Sequence, residues 1–456
     1  MNTNKKEKIF FSGIAGSGVS AIAGFMADRG NIIAGSDRAF DLDPDNPLKK
    51  VFLSKGISIV PQDGTGISSS FDFAVFSTAV ENDKPEVIKS RELGILVKTR
   101  PEYLAEIMSS FKTIAVSGTS GKSTASGLLA FLMSRLGLEP NFIGGGRVKQ
   151  FRSDDHPGNS LTGKSDSLII EACESDGSII HYSPQHTIIL NLAIDHHSIE
   201  ETSDMFKTLA RNTQDKIIIN GDDRNLDGIS ENEPITFSIH NTSDYRAENI
   251  TMHPLRSEFT VRKTRFSLSL PGEHNIYNAI ACIAFLSEIG ISPVDIASIL
   301  PEFKGIDRRF DIHNNAGESF VIDDYAHNPH KIENMMKTVQ KLSNKICFIF
   351  QPHGFGPTRM MKKEYIDTFV DNLRDGDHLV LLPIYYAGGT AAKDISSEDL
   401  ADEVIARGKS AEVIQKRDRI LNKTNEFQSF IVFGARDETL SNFAGKLAEV
   451  LKKQQH

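Results

Sequence analysis

Thr113-Ile114-Ala115-Val116-Ser117-Gly118-Thr119-Ser120-Gly121-Lys122-Ser123-Thr124 is the stretch on which the reading of this chain turns. A short apolar run enters a glycine-rich loop, and a long helical pattern follows from Lys122. A strand that turns through glycines into a helix aims backbone N–H groups and the positive end of the helix dipole at one point, which suits phosphate. There Lys122 would bridge the β and γ phosphates of ATP, and the Ser123 hydroxyl would ligate Mg²⁺. The general G-x-x-x-x-G-K-[ST] pattern asks for glycine where the chain has Val116, so the match is to the shorter G-T-x-G-K-[ST] form. A chance glycine turn is the alternative, and the strand–loop–helix context favours ATP over it.

Downstream, Ser167-Leu168-Ile169-Ile170 reads as a buried strand that ends in Glu171-Ala172-Cys173-Glu174-Ser175-Asp176. An acid at the carboxyl end of a parallel strand points into the ligand crevice of the sheet. Three acids in six residues also fit a solvated loop, but beside a phosphate loop Glu171 reads better as a Mg²⁺ ligand. Thr187-Ile188-Ile189-Leu190 is the next buried strand, followed by Asn191-Leu192-Ala193-Ile194-Asp195-His196-His197. His196 would project from the same sheet edge as Glu171, where a second hard cation could sit. No H-E-x-x-H spacing is present, so a zinc protease reading is poor.

The wider chain supports an α/β architecture in three sections. Residues 1–105 alternate short strands (Ile9-Phe10-Phe11, Ile32-Ile33-Ala34, Phe73-Ala74-Val75-Phe76, Ile95-Leu96-Val97) with helical patterns, as in a Rossmann-like domain. Residues 106–310 hold the phosphate loop, and within them 235–270 show the alternation of a half-exposed antiparallel sheet. Residues 311–456 alternate strands and helices again, which fits a second Rossmann-like sheet. At 456 residues the chain exceeds one ordinary core. Its 39% hydrophobic and 24% charged composition argues against disorder, and its net charge of −9 disfavours a general nucleic-acid binder. Three separated cysteines, Cys173, Cys282 and Cys347, indicate neither a disulfide framework nor a zinc ribbon. No apolar stretch is long enough for a signal segment or a membrane span, so a cytoplasmic protein without membrane insertion is expected.

Taken together, several motifs resemble the ATP-dependent Mur ligases. They are Gly118-Thr119-Ser120-Gly121-Lys122-Ser123, Glu171-Ala172-x-Glu174-Ser175-Asp176, Asn191-x-x-x-Asp195-His196, His274-Asn275-x-x-Asn278-Ala279, Asp307-Arg308-Arg309-Phe310 and Asp323-Asp324-Tyr325-Ala326-His327-Asn328-Pro329. Gly13-Ile14-Ala15-Gly16-Ser17-Gly18, Gly35-Ser36-Asp37 and Phe350-Gln351-Pro352-His353 are similar to signatures of the alanine-adding branch. The resemblance implies three domains: a UDP-sugar-binding N-terminal one, a central ATP-binding one with a small antiparallel sheet, and a C-terminal amino-acid-binding one. It implies an ADP-forming acid–amino acid ligase that joins UDP-N-acetylmuramic acid to L-alanine through an acyl phosphate, in peptidoglycan precursor synthesis.

The residues carried over follow from those motifs. Gly118, Thr119, Ser120, Gly121, Lys122, Ser123, Thr124, Asn275, Asn278, Arg309 and Asp324 would bind ATP, with Ser123, Glu171 and His196 on Mg²⁺. Lys122, Glu171, His196 and Arg309 would carry catalysis. Gly13, Ala15, Gly16, Ser17, Gly18, Ser36, Asp37, His327, His353 and Arg359 would bind the substrates. A monomer or weak homodimer is expected. Ala210 stands where many Mur ligases carry a carbamylated lysine, which the alanine-adding branch also lacks.

Some positions depart from the family pattern. Ala15 replaces the second glycine of the N-terminal turn, and Pro61-Gln62-Asp63 stands where relatives have Gly-His. Alanine-specific relatives show H-R-Y-x-R-T-R, whereas this chain has His353-Gly354-Phe355-Gly356-Pro357-Thr358-Arg359, keeping only Arg359 in register. Pro383-Ile384-Tyr385-Tyr386-Ala387-Gly388-Gly389 likewise replaces D-I-Y-x-A-x-E. Bidentate carboxylate capture by arginine is not easily substituted, so a different amino acid or peptide, or a modified UDP-sugar, is the alternative within the class. A nicotinamide-dependent oxidoreductase, resting on the N-terminal glycine turn alone, and a non-catalytic nucleotide-binding regulator are the readings outside it.

Overall fold

The computed structural model describes residues 6–78, 80–195, 197–253, 255–316, 319–386, 392–435, 437 and 439–454. His196 therefore lies outside the described residues, as do Ala387, Gly388 and Gly389. The chain divides into two compact units, Met1–Ile306 and Asp307–His456. Both are α/β. No helix among the described residues is long and apolar enough to cross a membrane.

The first unit opens with a parallel sheet ordered Ser58–Val60, Ile32–Ser36, Lys8–Ser12, Phe73–Phe76, Leu96–Thr99. Its central strand is apolar because both faces are covered: Ile9, Phe10 and Phe11 are fully buried. The chain leaves Lys8–Ser12 through the glycine turn into helix Ser17–Asp28. Strand order reverses beside Lys8–Ser12, which places that turn at the switch point where such sheets bind ligands.

A larger sheet follows, ordered Tyr245–Arg246, Ile235–Ser238, Ile217–Asn220, His186–Ile189, Lys112–Ser117, Ser167–Glu171, Asn141–Ile143, Ser160–Leu161. All its pairs are parallel except the last. Alternate side chains along its middle strands serve two different cores. Ile114, Val116, Ile169 and Ile188 pack with helices Lys122–Arg135 and Glu273–Glu288. Ala115, Leu168, Ile170 and Ile189 join the cluster that also contains Ile9, Phe11 and Val75 of the first sheet. The two sheets of this unit thus share one apolar layer.

Residues 235–270 divide differently from the sequence expectation. Ile235–Ser238 and Tyr245–Arg246 extend the parallel sheet, and only Glu248–His253, Arg256–Val261 and Thr264–Leu268 form the antiparallel one. In Ile235-Thr236-Phe237-Ser238 the apolar–polar alternation does not follow exposure: Ile235 and Thr236 are half-exposed, and Phe237 and Ser238 are both buried.

The second unit is a sheet ordered Asp311–Ala316, Ser319–Asp324, Ser429–Phe433, Cys347–Phe350, His378–Leu381, Ala411–Val413. The first pair is antiparallel and the rest parallel. One face packs Ile322, Phe348, Phe350, Ile431 and Phe433 against helices Pro329–Val339, Lys362–Asn372 and Glu398–Ala406. The other packs Val321, Ile349, Phe430 and Val432 against Thr439–Gln454.

Phe350 stacks on Phe433 at 4.9 Å between ring centroids and meets Tyr365 and Phe369 at 5.3 and 5.6 Å. Phe350→Ala is expected to cost about 3–5 kcal/mol. Met360→Ala, at a side chain 75% exposed, should stay within about 0.5 kcal/mol. Urea unfolding of the two variants, followed by hydrogen exchange in strand Ser429–Phe433, checks the difference.

Candidate functional site

Strand Lys112–Ser117 delivers the phosphate loop from the middle of the large sheet. Gly118 and Gly121 both have positive φ, at 135° and 87°. A Cβ at Gly121 would stand 2.5 Å from Asn278 Oδ1, and one at Gly118 would stand 3.0 Å from Leu190 Cβ. Glycine is thus required at each position both for conformation and for clearance.

The loop's shape is imposed by the segment after His186–Ile189. Ser120 N donates to Asn191 Oδ1 at 2.8 Å, and Asn191 Nδ2 donates back to Ser120 O at 2.9 Å. Thr119 N donates to Asn191 O at 3.0 Å, and Ala193 N donates to Thr119 Oγ1 at 3.0 Å. That segment is pinned in turn from Ile217–Asn220 and the loop beyond it. Asn220 donates to Leu190 O, Leu192 N donates to Asp223 at 2.7 Å, and Asn225 donates to Leu192 O at 2.9 Å. Asn191 stands inside a motif quoted from the sequence, but nothing in its spacing signals this clamp. Asp223 and Asn225 follow in the chain without a recognisable pattern.

Lys122 begins helix Lys122–Arg135 with its ammonium folded over the loop. It donates to Gly118 O at 2.5 Å and to Glu174 Oε2 at 2.8 Å, with side chains 10% and 4% exposed. Burial opposes that charge, but Cys173, Glu174 and Glu171 outweigh it and hold the amine above the ordinary lysine range. The cation is therefore fixed and dry.

Ser123 Oγ donates to Glu171 Oε1 at 2.9 Å, and Gly145 N donates to Glu171 Oε2 at 2.7 Å. Ser123, the residue after the lysine, and Glu171 thus present hard oxygens side by side, as a Mg²⁺ site completed by phosphate and water requires. Gly144-Gly145-Gly146 lies against this pair. A Cβ at Gly145 would reach 2.9 Å from Glu171 Oε2, and one at Gly146 would reach 2.9 Å from Ser123 Cβ. Motif reasoning passes over this run, although three glycines just past strand Asn141–Ile143 are a signal that could have found it. Thr124, Asn275 and Asn278 are buried nearby along the two helices, and Asn275 donates to Pro271 O at 2.7 Å. His197, next to His196, approaches Ser175 O at 3.3 Å.

The N-terminal turn is arranged differently from a simple amide cradle. Gly13 N and Ile14 N donate to Ser36 O at 2.9 and 3.1 Å, and Ala15 N donates to Asp37 Oδ2 at 2.9 Å. Asp37 also caps helix Arg38–Leu42 through Ala39 N. Burial raises the Asp37 carboxyl despite those amides. Ser36 is fully buried, and its hydroxyl, like that of Ser12, turns to the buried Glu86. Gly16 and Ser17 are exposed, and no side chain caps helix Ser17–Asp28.

In the second unit the segment Asp307–Phe310 has an unusual backbone. Arg308 and Phe310 both have positive φ, 56° and 50°, each costing on the order of 1 kcal/mol or more. The structure over-determines them. Arg308 is buried against Asp323 and donates to Gly434 O and Asp437 O at 2.6 and 3.0 Å. Phe310 N donates to Asp324 Oδ2 at 2.8 Å, and Ala326 N donates to Asp324 Oδ1 at 2.7 Å. Arg309, between them, lies over the Tyr325 ring at 4.5 Å. Of the two adjacent arginines, Arg308 is the internal one.

His327 and His353 meet edge to face at 5.3 Å, and Tyr365 donates to His327 O at 2.5 Å. Burial pushes the His327 imidazole down to about 3, with Lys331, His353 and Arg309 adding repulsion. Arg359 sits apart on short helix Phe355–Met360, paired with Asp394 and donating to Ala392 O at 2.9 Å. Phe355 and Tyr386 pack edge to face at 5.2 Å nearby in sequence, with Lys393 at 5.0 Å from the Tyr386 ring.

Comparison with known proteins yields a consistent set. Residues 8–112 match the description "Mur ligase family, catalytic domain", 116–286 the "Mur ligase middle domain" and 308–452 the "Mur ligase, glutamate ligase domain". A UDP-N-acetylmuramate–L-alanine ligase of Caldicellulosiruptor saccharolyticus is 31% identical over 94% of this chain and 96% of its own. One of Clostridium kluyveri is 32% identical over 95% and 96%. Among solved structures, a UDP-N-acetylmuramate-alanine ligase of Thermotoga maritima superposes with TM-score 0.80 at 24% identity, covering 98% of this chain and all of that one. A murein peptide ligase of Psychrobacter arcticus gives 0.70 at 21%, covering 98% of each.

His327 is neutral in the fold and has an ordinary value of 6.5 when unfolded, so acid favours the unfolded chain. Its contribution is complete above about 6.5 and is lost as pH falls toward about 3. At pH 5 the loss is about 2 kcal/mol. Thermal midpoints at pH 7.5 and pH 5 should lie closer together in His327→Gln than in the unsubstituted protein. An unchanged gap would rule out this source of acid sensitivity.

Proposed function

The chain belongs to the Mur ligase family, and from that footing we propose that it joins the carboxylate of UDP-N-acetylmuramic acid to L-alanine in peptidoglycan precursor synthesis, splitting ATP to ADP and phosphate. The observation that carries the chemistry is the buried Lys122 ammonium beside the paired oxygens of Ser123 and Glu171. The amino acid follows from the relatives just named, whose likeness runs nearly end to end.

The division of labour follows the three segments 1–105, 106–310 and 311–456. The UDP diphosphate lies against the turn Gly16–Gly18, exposed at Gly16 and Ser17, at the start of helix Ser17–Asp28, where the first-turn amides and the helix dipole favour anions. ATP occupies the loop Gly118–Thr124, with Asn275 and Asn278 on the nucleotide. By family likeness Arg309 and Asp324 are also assigned to the nucleotide, and His327, His353 and Arg359 to the acceptor.

A carboxylate is a weak nucleophile toward a triphosphate because both are negative. The Lys122 ammonium is desolvated and oriented before any ligand arrives, so its attraction strengthens as phosphoryl charge spreads in the transition state. Mg²⁺, held by Ser123 and Glu171 with His196 at a second ion, would supply further charge neutralisation. The carboxylate oxygen bonds to the γ-phosphorus as the bond to ADP breaks. The neutral amine then attacks the acyl carbon and loses a proton, and phosphate leaves.

One observation favours a second reading for the acceptor. Gly354 and Pro357 stand where alanine-specific relatives carry arginines, and Arg359 is committed to Asp394. A different amino acid or peptide would meet Phe355, Tyr386 and Lys393 in that region. Enzyme, Mg-ATP and UDP-N-acetylmuramate with each amino acid in turn, read as phosphate release, separates the two: turnover with alanine supports the first, and turnover only with another amine supports the second. Lys122→Ala should lower turnover by at least about 10²–10³-fold, equivalent to about 3–4 kcal/mol. Retained activity would remove the lysine from the chemistry.

A further inference from the structure

The acidic loop that follows strand Ser167–Glu171 is tied at both ends to different functional elements of the first unit. Glu174 holds the phosphate-loop lysine at 2.8 Å. Two residues on, Asp176 is ion-paired with Arg100, the first residue of helix Arg100–Met108. The Arg100 and Asp176 side chains are 17% and 21% exposed, so the pair is largely shielded from solvent. The Arg100 stem crosses the start of helix Ser17–Asp28. A Cβ at Gly18 would stand 3.1 Å from Arg100 Cδ and 3.7 Å from its Nε and Nη1. A guanidinium at that spot lies beside the positive end of a helix with no acid in its first turn, and Asp176 is the counter-charge the structure gives it.

Both clasps sit in one tight turn. Gly177 N donates to Glu174 O at 2.9 Å, Ser178 N donates to Asp176 Oδ1 at 3.1 Å, and Gly177 has φ 69°. Burial alone would raise the Asp176 carboxyl, but Ser178 and Arg100 bring it below the usual range, so it is ionised alongside its partner. A displacement of Glu174 is thus carried to Asp176 through a turn with little slack.

We infer that this loop couples the two nucleotide sites, with Asp176 as the positioning residue that keeps the Arg100 guanidinium engaged, and so unavailable to the UDP diphosphate, until one ligand has loosened the loop. The inference rests on the proposed placement of the diphosphate at Gly16–Gly18. A triphosphate competes with Glu174 for the Lys122 ammonium, and a diphosphate competes with Asp176 for Arg100. Whichever anion arrives first bears the cost of opening the loop, and the second binds a loop already released. Positive coupling follows, and by linkage it is equal in both directions.

The test uses the full chain, a non-hydrolysable ATP analogue and UDP-N-acetylmuramate without amino acid. In the unsubstituted protein each ligand should tighten the other by about 5–50-fold. In Asp176→Asn each ligand should still bind alone, UDP-N-acetylmuramate no more weakly than before, while the mutual effect falls to within about twofold. Arg100→Ala should weaken UDP as well as UDP-N-acetylmuramate while the ATP analogue alone binds no more weakly than before, and Arg100→Lys should restore part of the coupling. Full coupling in Asp176→Asn, or none in the unsubstituted protein although both ligands bind, overturns the inference and leaves the proposed function standing. Failure of the unsubstituted protein to bind UDP-N-acetylmuramate sinks both, and turnover on that substrate distinguishes the cases.

Discussion

The first unit is organised around one buried charge, the Lys122 ammonium in its cage of Gly118 O and Glu174. A cation so shielded is costly unless its partners are held in place, since desolvation of an unpaired charge exceeds the worth of most packing contacts. The partners are accordingly fixed several times over. Glu174 comes from the strand beside the loop, Asn191 clamps Ser120 from the strand on the other side, and Asp223 and Asn225 secure Asn191's own segment. Every one of these residues lies at or beyond the carboxyl end of a parallel strand, so the sheet's direction brings them together.

The same logic governs the second unit, where Arg308 takes the buried role and Arg309 the outward one. Two consecutive arginines look equivalent in a sequence. The left-handed backbone at Arg308 and Phe310 separates them, sending one guanidinium into Asp323 and two carbonyls and leaving the other on Tyr325. Strain of this kind persists only where surrounding contacts enforce it, and the amides of Phe310 and Ala326 on Asp324 are among them.

Much of this is legible in the chain because the signals are local. The strands marked by apolar runs fall within a residue or two of their observed ends: Ile9–Phe11 inside Lys8–Ser12, Thr113–Val116 inside Lys112–Ser117, Phe430–Phe433 inside Ser429–Phe433. The phosphate loop is readable because its glycines and lysine are contiguous. Strand Ile235–Ser238 falls in a different sheet from the one its pattern suggests, because four alternating residues do not fix the pairing: the strand is half-exposed along its first two residues, buried along its last two, and paired in parallel on both sides. The Asn191 clamp, the Arg100–Asp176 pair and the Glu86 carboxyl between Ser12 and Ser36 are invisible for another reason. Each joins residues 50 to 76 positions apart, and single-sequence patterns carry no information at that range.

The crowding around Gly118, Gly121, Gly145 and Gly146 has an evolutionary corollary. Every missense change at a glycine codon introduces a Cβ, and at these four sites that atom would collide with, or press tightly on, Leu190, Asn278, Glu171 or Ser123. Neutral drift is therefore closed to them by sterics alone, before selection on turnover acts.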